Sequence, residues 1–129
     1  SSMTEQIRRF QPEDFDQIHR LNEQEGWQDL VAEKERTRHA WMNANAAYVL
    51  ECDGQVLAYV RALTDGYVTT FVCELLVSRK ARKQGYGQQL LNYLKHTYPT
   101  RIDLLATRQS APFYEEQGFR AFYGFRQSQ

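Results

Sequence analysis

The sequence predicts an α/β domain with a mixed sheet and helices on both faces of that sheet. Runs rich in β-branched and aromatic residues alternate with runs of helical periodicity. Two Asp-Gly pairs, Asp53-Gly54 and Asp65-Gly66, separate strand-like runs as hairpin turns do. One strand-like run also passes through a two-glycine loop directly into a helix-like run.

The first half of the chain predicts one strand, two helices and a hairpin. Residues 7–10 form the strand, and Pro12 with two following acidic residues starts a helix that ends at Gly26. A second helix is predicted over residues 31–44. Strands follow on either side of the Asp-Gly turns, at residues 48–52, 56–60 and 67–77.

The second half adds two helices and two strands. The helix after the two-glycine loop runs to about residue 97, because Pro99 blocks its extension. A strand at residues 102–106, a short helix at 111–117 that ends at Gly118, and a last strand at 119–125 complete the prediction. The predicted order is β-α-α-β-β-β-α-β-α-β.

Length and composition predict a single domain over residues 3–129 of a cytoplasmic protein. Sixteen basic and sixteen acidic residues cancel, which argues against a general nucleic-acid or membrane surface. No apolar run approaches the ~20 residues of a membrane span, and no secretory signal is visible. Cys52 and Cys73 lie in strand-like runs and are expected to be buried free thiols. Ser1 and Ser2 precede Met3 and are expected to be an expression remnant.

The two-glycine loop predicts a phosphate-binding site. Its sequence, Arg82-Lys83-Gln84-Gly85-Tyr86-Gly87, lies between the strand-like run at 71–77 and the helix-like run at 88–94. Glycine lets a backbone approach a ligand closely, and the first N–H groups of a helix lack intrahelical acceptors. These groups and the helix dipole attract anions, so we expect a pyrophosphate near residues 82–88. The alternative is a tight turn without a ligand.

The order of elements and two motifs resemble the GNAT superfamily of acyl-CoA-dependent N-acetyltransferases. The family's loop has an Arg or Gln, two variable residues, Gly, one variable residue, and Gly or Ala, as at residues 82–87. A second motif places an Ala, a Tyr and a Gly-Phe in order, matched here by Ala111, Tyr114 and Gly118-Phe119. The resemblance covers nearly the whole chain, and one departure is Arg108, where members often carry Asn.

The resemblance implies acetyl-CoA as the co-substrate and a set of binding residues. The backbone of residues 84–88 would hold the diphosphate with support from the Arg82 side chain, and the fourth strand would supply backbone groups along the pantetheine arm. One of those N–H groups would stabilise the oxyanion. Arg79, Lys80 and Lys83 either attract the 3′-phosphate or form a solvated basic loop. The predicted binding residues are Leu75, Leu76, Val77, Arg82, Lys83, Gln84, Gly85, Tyr86, Gly87 and Gln88.

Tyr114 and Glu74 are the predicted catalytic residues. In many family members the matching tyrosine lies near the cofactor sulfur, where a phenol can donate a proton to the departing thiolate. Glu74 lies in a strand among apolar neighbours, where a charge is costly unless it is used. It is a candidate base or an anchor for the substrate ammonium. The alternatives are aromatic packing for Tyr114, and a solvent-facing position or pairing with a helix arginine for Glu74.

The resemblance predicts an N-acetyltransferase that acts on the primary amine of a small molecule. No nucleophile for an acyl-enzyme stands out, so the amine would attack the thioester directly in a ternary complex. The rivals are a protein or peptide acetyltransferase and a non-catalytic acyl-CoA-binding module. A homodimer through residues 122–126 is a family-level expectation. No metal is expected, because His19, His39 and His96 are far apart in sequence.

Overall fold

A computed structural model describes residues 4–129 of the chain, so the prediction for Ser1 and Ser2 lies outside the described residues. Five strands form one sheet in the order β1-β2-β3-β4-β5. Adjacent strands are antiparallel, except β4 and β5, which are parallel. The predicted α/β class with a mixed, mostly antiparallel sheet is therefore confirmed. The strands are β1 (Glu5–Arg9), β2 (Ala46–Cys52), β3 (Gln55–Thr64), β4 (Thr69–Val77) and β5 (Arg101–Leu104).

Five α-helices cover the two faces of the sheet and enclose two apolar cores. Helices α1 and α3 pack on one face around Phe15, Trp41 and Tyr59. Helix α4 packs on the other face around Leu90 and Leu94, and side chains of α5 join that core. In the described part of the chain, no helix is long and apolar enough to cross a membrane. The helices are α1 (Phe15–Glu25), α2 (Gln28–Ala32), α3 (Lys34–Met42), α4 (Tyr86–Thr97) and α5 (Ala111–Glu116).

The two Asp-Gly pairs form turns as predicted, by different means. Asp53 and Gly54 both have positive φ, 52° and 80°, which is the conformation of a type I′ hairpin turn. At the second turn the Asp65 carboxylate accepts hydrogen bonds from three successive N–H groups, those of residues 67–69, at 2.7–3.1 Å. These bonds lower the pKa of Asp65 and fix the start of β4.

The second predicted helix, at residues 31–44, is in fact two helices. Helix α2 ends at Ala32, Glu33 leaves the helical conformation with φ −102° and ψ 56°, and α3 begins at Lys34. The Thr37 hydroxyl donates to the carbonyls of Leu30 and Glu33 at 3.0 and 2.9 Å. A side chain that binds these carbonyls stabilises a break in the helical hydrogen-bond pattern.

The predicted last strand at residues 119–125 does not form. The aromatic residues there have a high strand propensity, but a strand also needs a backbone partner, and β5 pairs only with β4. Phe122, Tyr123 and Phe125 are instead 77%, 97% and 92% exposed. The homodimer that was expected through residues 122–126 stays a prediction.

Candidate functional site

Strand β4 changes its surroundings halfway along its length. Thr69 to Val72 pair with β3 on one side and with β5 on the other. Beyond Val72 the ladder to β5 stops, while the ladder to β3 continues after a register shift that leaves Cys73 without an opposite residue. A bulge of this kind bends the strand. Residues 73–77 therefore have one open edge.

The open edge presents backbone N–H groups of two residues predicted to contact the cofactor. The Ser78 N–H donates to the Leu57 carbonyl of β3 at 2.8 Å. Because successive residues of an antiparallel strand direct their backbone groups to opposite edges, the N–H of Leu76 faces β3 and those of Leu75 and Val77 face the open edge. The Arg82 Nε, which donates to the Val77 carbonyl at 3.4 Å, reaches β4 from that open side.

The loop after β4 exposes a run of backbone donors. Helix α4 starts at Tyr86, and its first intrahelical bond runs from the Gln89 N–H to the Gly85 carbonyl at 3.0 Å. The N–H groups of residues 82–88 donate to no atom within residues 4–129. Consecutive unpaired donors at a helix N-terminus suit a diphosphate, so the geometry of this loop fits the predicted group.

The two glycines of the loop serve different purposes. Gly85 has φ 79° and open space around the position of a Cβ, so its requirement is conformational. Gly87 has ordinary helical geometry, but a Cβ there would lie 3.2 Å from Phe113 Cζ and 3.6 Å from Val77 Cγ2. Gly87 therefore lets the start of α4 pack closely against β4 and α5.

Arg82, the predicted diphosphate ligand, is bound to an acidic residue from another helix. Its Nη2 donates to Glu25 Oε1 at the end of α1. Arg79 Nε lies 3.9 Å from the same oxygen. A carboxylate thus joins two cations of the predicted anion site. Sequence reasoning missed Glu25, and no local pattern distinguishes it from other acidic residues of α1.

Glu74 forms a two-pronged ion pair with Arg61 on the neighbouring strand β3. Arg61 Nε and Nη2 donate to the two carboxylate oxygens at 2.6 and 2.8 Å, and both side chains are about 15% exposed. Burial opposes the Arg61 charge, but the bonds from Glu74 outweigh it and raise the pKa of Arg61. The partner is a strand arginine and not the helix arginine considered above. A signal existed, because Arg61 interrupts one apolar strand as Glu74 interrupts the next.

Tyr114 lies on α5, beside the point where α4 and β4 meet. Its ring makes edge contacts with Phe113 and Phe119, with centroids 5.0 and 5.6 Å apart. The hydroxyl bonds to no other described residue. Burial raises the pKa of Tyr114, which keeps the phenol protonated at neutral pH. A protonated hydroxyl without a protein partner is able to donate to a ligand.

A small cavity of about 230 Å³ lies beside the Arg61–Glu74 pair, between α2, α3 and β3. Arg61 forms part of its wall, with the carboxylates of Asp29 and Glu33 and the guanidinium of Arg36 around it. Its volume is below the usual ~300–1,000 Å³ of sites for drug-sized ligands. Over residues 4–129, no three His, Cys, Asp or Glu side chains are grouped as metal ligands.

The structure brings the predicted cofactor residues onto one continuous surface, except Leu76, whose backbone faces β3 and whose side chain is buried in the α1-side core. The open edge at Leu75 and Val77 leads into the loop at 82–88, and Phe113 places α5 against the same surface. Glu74 alternates with Leu75 and so faces the α1 side of the sheet. Cys73, expected to be buried, is partly exposed at the bulge, whereas Cys52 is buried.

Comparisons with known proteins agree with this geometry. A family model described as an acetyltransferase (GNAT) domain matches residues 43–121. A GNAT-family acetyltransferase from Streptococcus pneumoniae TIGR4 has a TM-score of 0.76 at 18% identity, over 99% of this chain and 98% of that one. A GCN5-related N-acetyltransferase from Ralstonia eutropha JMP134 has a TM-score of 0.72 at 17% identity, over 97% and 98%.

A third similar structure contains a ligand. The PaiA N-acetyltransferase from Thermoplasma acidophilum, solved in complex with coenzyme A, has a TM-score of 0.75 at 14% identity, over 92% of this chain and 91% of that one. These identities show likeness of fold. No curated protein sequence matches the chain.

Proposed function

The chain belongs to the GNAT family of acetyltransferases, and on that premise we propose that it transfers an acetyl group from acetyl-CoA to the primary amine of a small molecule. The amine attacks the thioester directly in a ternary complex. The observation that carries the proposal is the open edge of β4, which leads into the unpaired N–H groups of residues 82–88.

Acetyl-CoA supplies the activated acetyl group, and the chain supplies the groups that hold it. The N–H groups of residues 84–88 bind the diphosphate, and those of Leu75 and Val77 bind the pantetheine arm or the developing oxyanion. In this proposal, the predicted residues Lys83 and Tyr86 contribute backbone to the same surface, whereas the backbone of the predicted residue Leu76 is bound to β3 and takes no part. Arg82 exchanges Glu25 for the diphosphate when the cofactor binds.

Two side chains take the proton-transfer and orienting roles in this proposal. The Tyr114 phenol donates its proton to the sulfur as the carbon–sulfur bond breaks. Both oxygens of Glu74 already accept hydrogen bonds from Arg61, which holds the carboxylate in one position. Of its two predicted roles, we therefore favour the ammonium anchor, with a water molecule removing the proton from the amine.

The cavity beside Arg61 supports a small acceptor. Its volume of about 230 Å³ suits a compact amine better than an extended peptide. Its wall offers the carboxylates of Asp29 and Glu33 to an ammonium group, beside the guanidinium groups of Arg36 and Arg61.

The test offers acetyl-CoA with a panel of small primary amines and, separately, with lysine-containing peptides, and follows the release of free thiol. We expect amine-dependent release with at least one small amine. Release with peptides alone would support the protein-acetyltransferase rival. Coenzyme A binding without release on any amine would support the binding-module rival.

A further inference from the structure

The cavity of about 230 Å³ beside the Arg61–Glu74 pair has a wall with charges of both signs. Asp29 and Glu33 contribute carboxylates, and Arg36 and Arg61 contribute guanidinium groups. Within residues 4–129, no two of these four side chains form an ion pair with each other. Opposite charges that line one cavity without pairing are available to a ligand that itself carries both signs of charge.

Arg61 supplies a cation that is held in place and still has unused donors. Its side chain is 15% exposed, and its Nε and Nη2 donate to Glu74 at 2.6 and 2.8 Å. Its Nη1 donates to no atom of the described chain, residues 4–129, while Arg61 forms part of the cavity wall. Because a guanidinium group is a rigid planar fork, the two bonds to Glu74 also fix the direction of Nη1. The wall therefore includes an oriented donor group for an anionic oxygen of a ligand.

Arg36 supplies the second cation, and an oxygen atom already binds it. Its Nη2 donates to Gln129 Oε1 at 2.6 Å, and in the part of the chain that the structure describes it has no carboxylate partner. A carboxylate carries a full charge and accepts from two prongs of a guanidinium group, so it binds arginine more strongly than a neutral amide oxygen does. A ligand carboxylate in the cavity would therefore displace Gln129 from Arg36.

We propose that the acetyl acceptor is a small amino acid, which carries an ammonium group and a carboxylate. The carboxylate binds Arg36 and the Nη1 of Arg61, and the ammonium group binds Glu74, the anchor proposed above. This assignment rests on the proposed function, because it names the acceptor of the same site.

The charges of the wall argue for a zwitterion over other charged ligands. Asp29 and Glu33 repel a ligand of net negative charge, such as a dicarboxylate, and the two guanidinium groups repel a polyamine. A zwitterion without net charge avoids both repulsions. The cavity is also smaller than the usual ~300–1,000 Å³ of sites for drug-sized ligands, which suits a molecule as compact as an amino acid.

The transfer step follows from this arrangement. The amine nitrogen bonds to the acetyl carbon as the carbon–sulfur bond breaks, so the products are an N-acetyl amino acid and coenzyme A. The ammonium group loses two protons. Water takes the first before the attack, and the second replaces the proton that Tyr114 gives to the sulfur.

The experiment measures kcat and KM for matched sets of acceptors. Each set contains an amino acid, its amide, in which a neutral group replaces the carboxylate, and the amine that lacks the carboxyl group. We expect the wild type to use the amino acid with a kcat/KM at least about tenfold above that of either analogue, as a bond to a charged group implies.

Three variants assign that preference to the cavity. Arg36→Gln should raise KM for the amino acid about tenfold, with kcat and both analogues nearly unchanged. Gln129→Ala should lower KM for the amino acid alone, because it removes the competing amide. Lys34→Gln is the control, because it removes the same charge from α3 at a position outside the described cavity wall. Melting curves verify that each variant is folded.

The proposal is overturned if the wild type uses the amide or the amine as well as the amino acid. It is also overturned if Arg36→Gln affects all three acceptors equally, or if Lys34→Gln has the same effect as Arg36→Gln. Calorimetry with the same three compounds, in the presence of coenzyme A, separates this proposal from the proposed function. An amino acid that binds through Arg36 without release of thiol would refute the proposed function and leave the amino acid site standing. Thiol release with amines but no preference for amino acids would do the reverse, and neither binding nor release would overturn both.

Discussion

The two halves of strand β4 belong to one continuous strand but differ in what borders them. Thr69 to Val72 have a strand on each side, and the Thr70 hydroxyl is 2.8 and 2.7 Å from the hydroxyls of Thr64 and Thr100. Residues 73–77 have a strand on one side only. The difference arises where β5 ends, at Leu104, and where the bulge at Cys73 bends β4.

Within β4, the residues whose backbone stabilises the sheet on both sides are separate from the residues that leave one edge unpaired. Backbone groups in the first half form hydrogen bonds to the strands on both sides, so that half fixes β4 in the sheet. In the second half, one edge has donors without a strand partner, while the other edge is paired with β3. A rigid strand that is open on one side is a preorganised binding surface, because little order has to be gained on binding.

The largest expected effect is on turnover. It comes from changing Tyr114, which lies across from the open half of β4. Tyr114→Phe removes the proposed proton donor and should reduce turnover about 100-fold, with coenzyme A affinity nearly unchanged. Tyr98→Phe is the matched control, because it removes a hydroxyl that pairs with Tyr48 at 2.7 Å. The control should lower the free energy of unfolding by about 1 kcal/mol and leave turnover at the wild-type level. Equal turnover in Tyr114→Phe and wild type would exclude the donor role.

The next effect is on stability and compares the two halves directly. Val72, buried in the paired half, and Val77, partly buried in the open half, are each changed to Ala. We expect Val72→Ala to lower the free energy of unfolding by about 2 kcal/mol, and Val77→Ala to lower it by less than about 1 kcal/mol. Urea denaturation measures both. Equal losses would mean that the open half is as tightly packed as the paired half.

The smallest expected effect is on coenzyme A affinity. It concerns Glu25, whose carboxylate would compete with a bound anion for Arg82 and Arg79. Glu25→Gln removes the charge that binds Arg82 and Arg79, and should tighten coenzyme A binding about threefold, the scale of an exposed ion pair. Glu23→Gln, two residues earlier on α1, is the control and should have no effect. Weaker binding in Glu25→Gln would show that Glu25 instead holds Arg82 in position for the diphosphate.

Local chemistry made much of this arrangement predictable. The Asp-Gly turns, the apolar run of β4 and the glycines before α4 act through neighbouring residues, and the sequence displays them. The family resemblance then indicated that the edge of β4 binds the cofactor. The structure supplies the limits of that edge, which depend on where β5 stops.

The features that sequence reasoning missed depend on distant partners. The last strand has suitable residues but no backbone partner, so propensity alone misled. The Arg61–Glu74 pair follows from the register of two strands, and the Arg82–Glu25 pair joins residues far apart in the chain. Register and long-range pairing are set by the whole fold, which single-sequence patterns do not reveal.

The most direct test of the account is amide-resolved hydrogen exchange with and without coenzyme A. In the free protein, the amides of Leu75 and Val77 should exchange quickly, while that of Leu76 is protected by its bond to β3. Coenzyme A should slow exchange at Leu75, at Val77 and across residues 84–88, and leave residues 69–72 unchanged. Protection that appears equally along β4, or that is absent from both the open edge and the loop, would contradict the account.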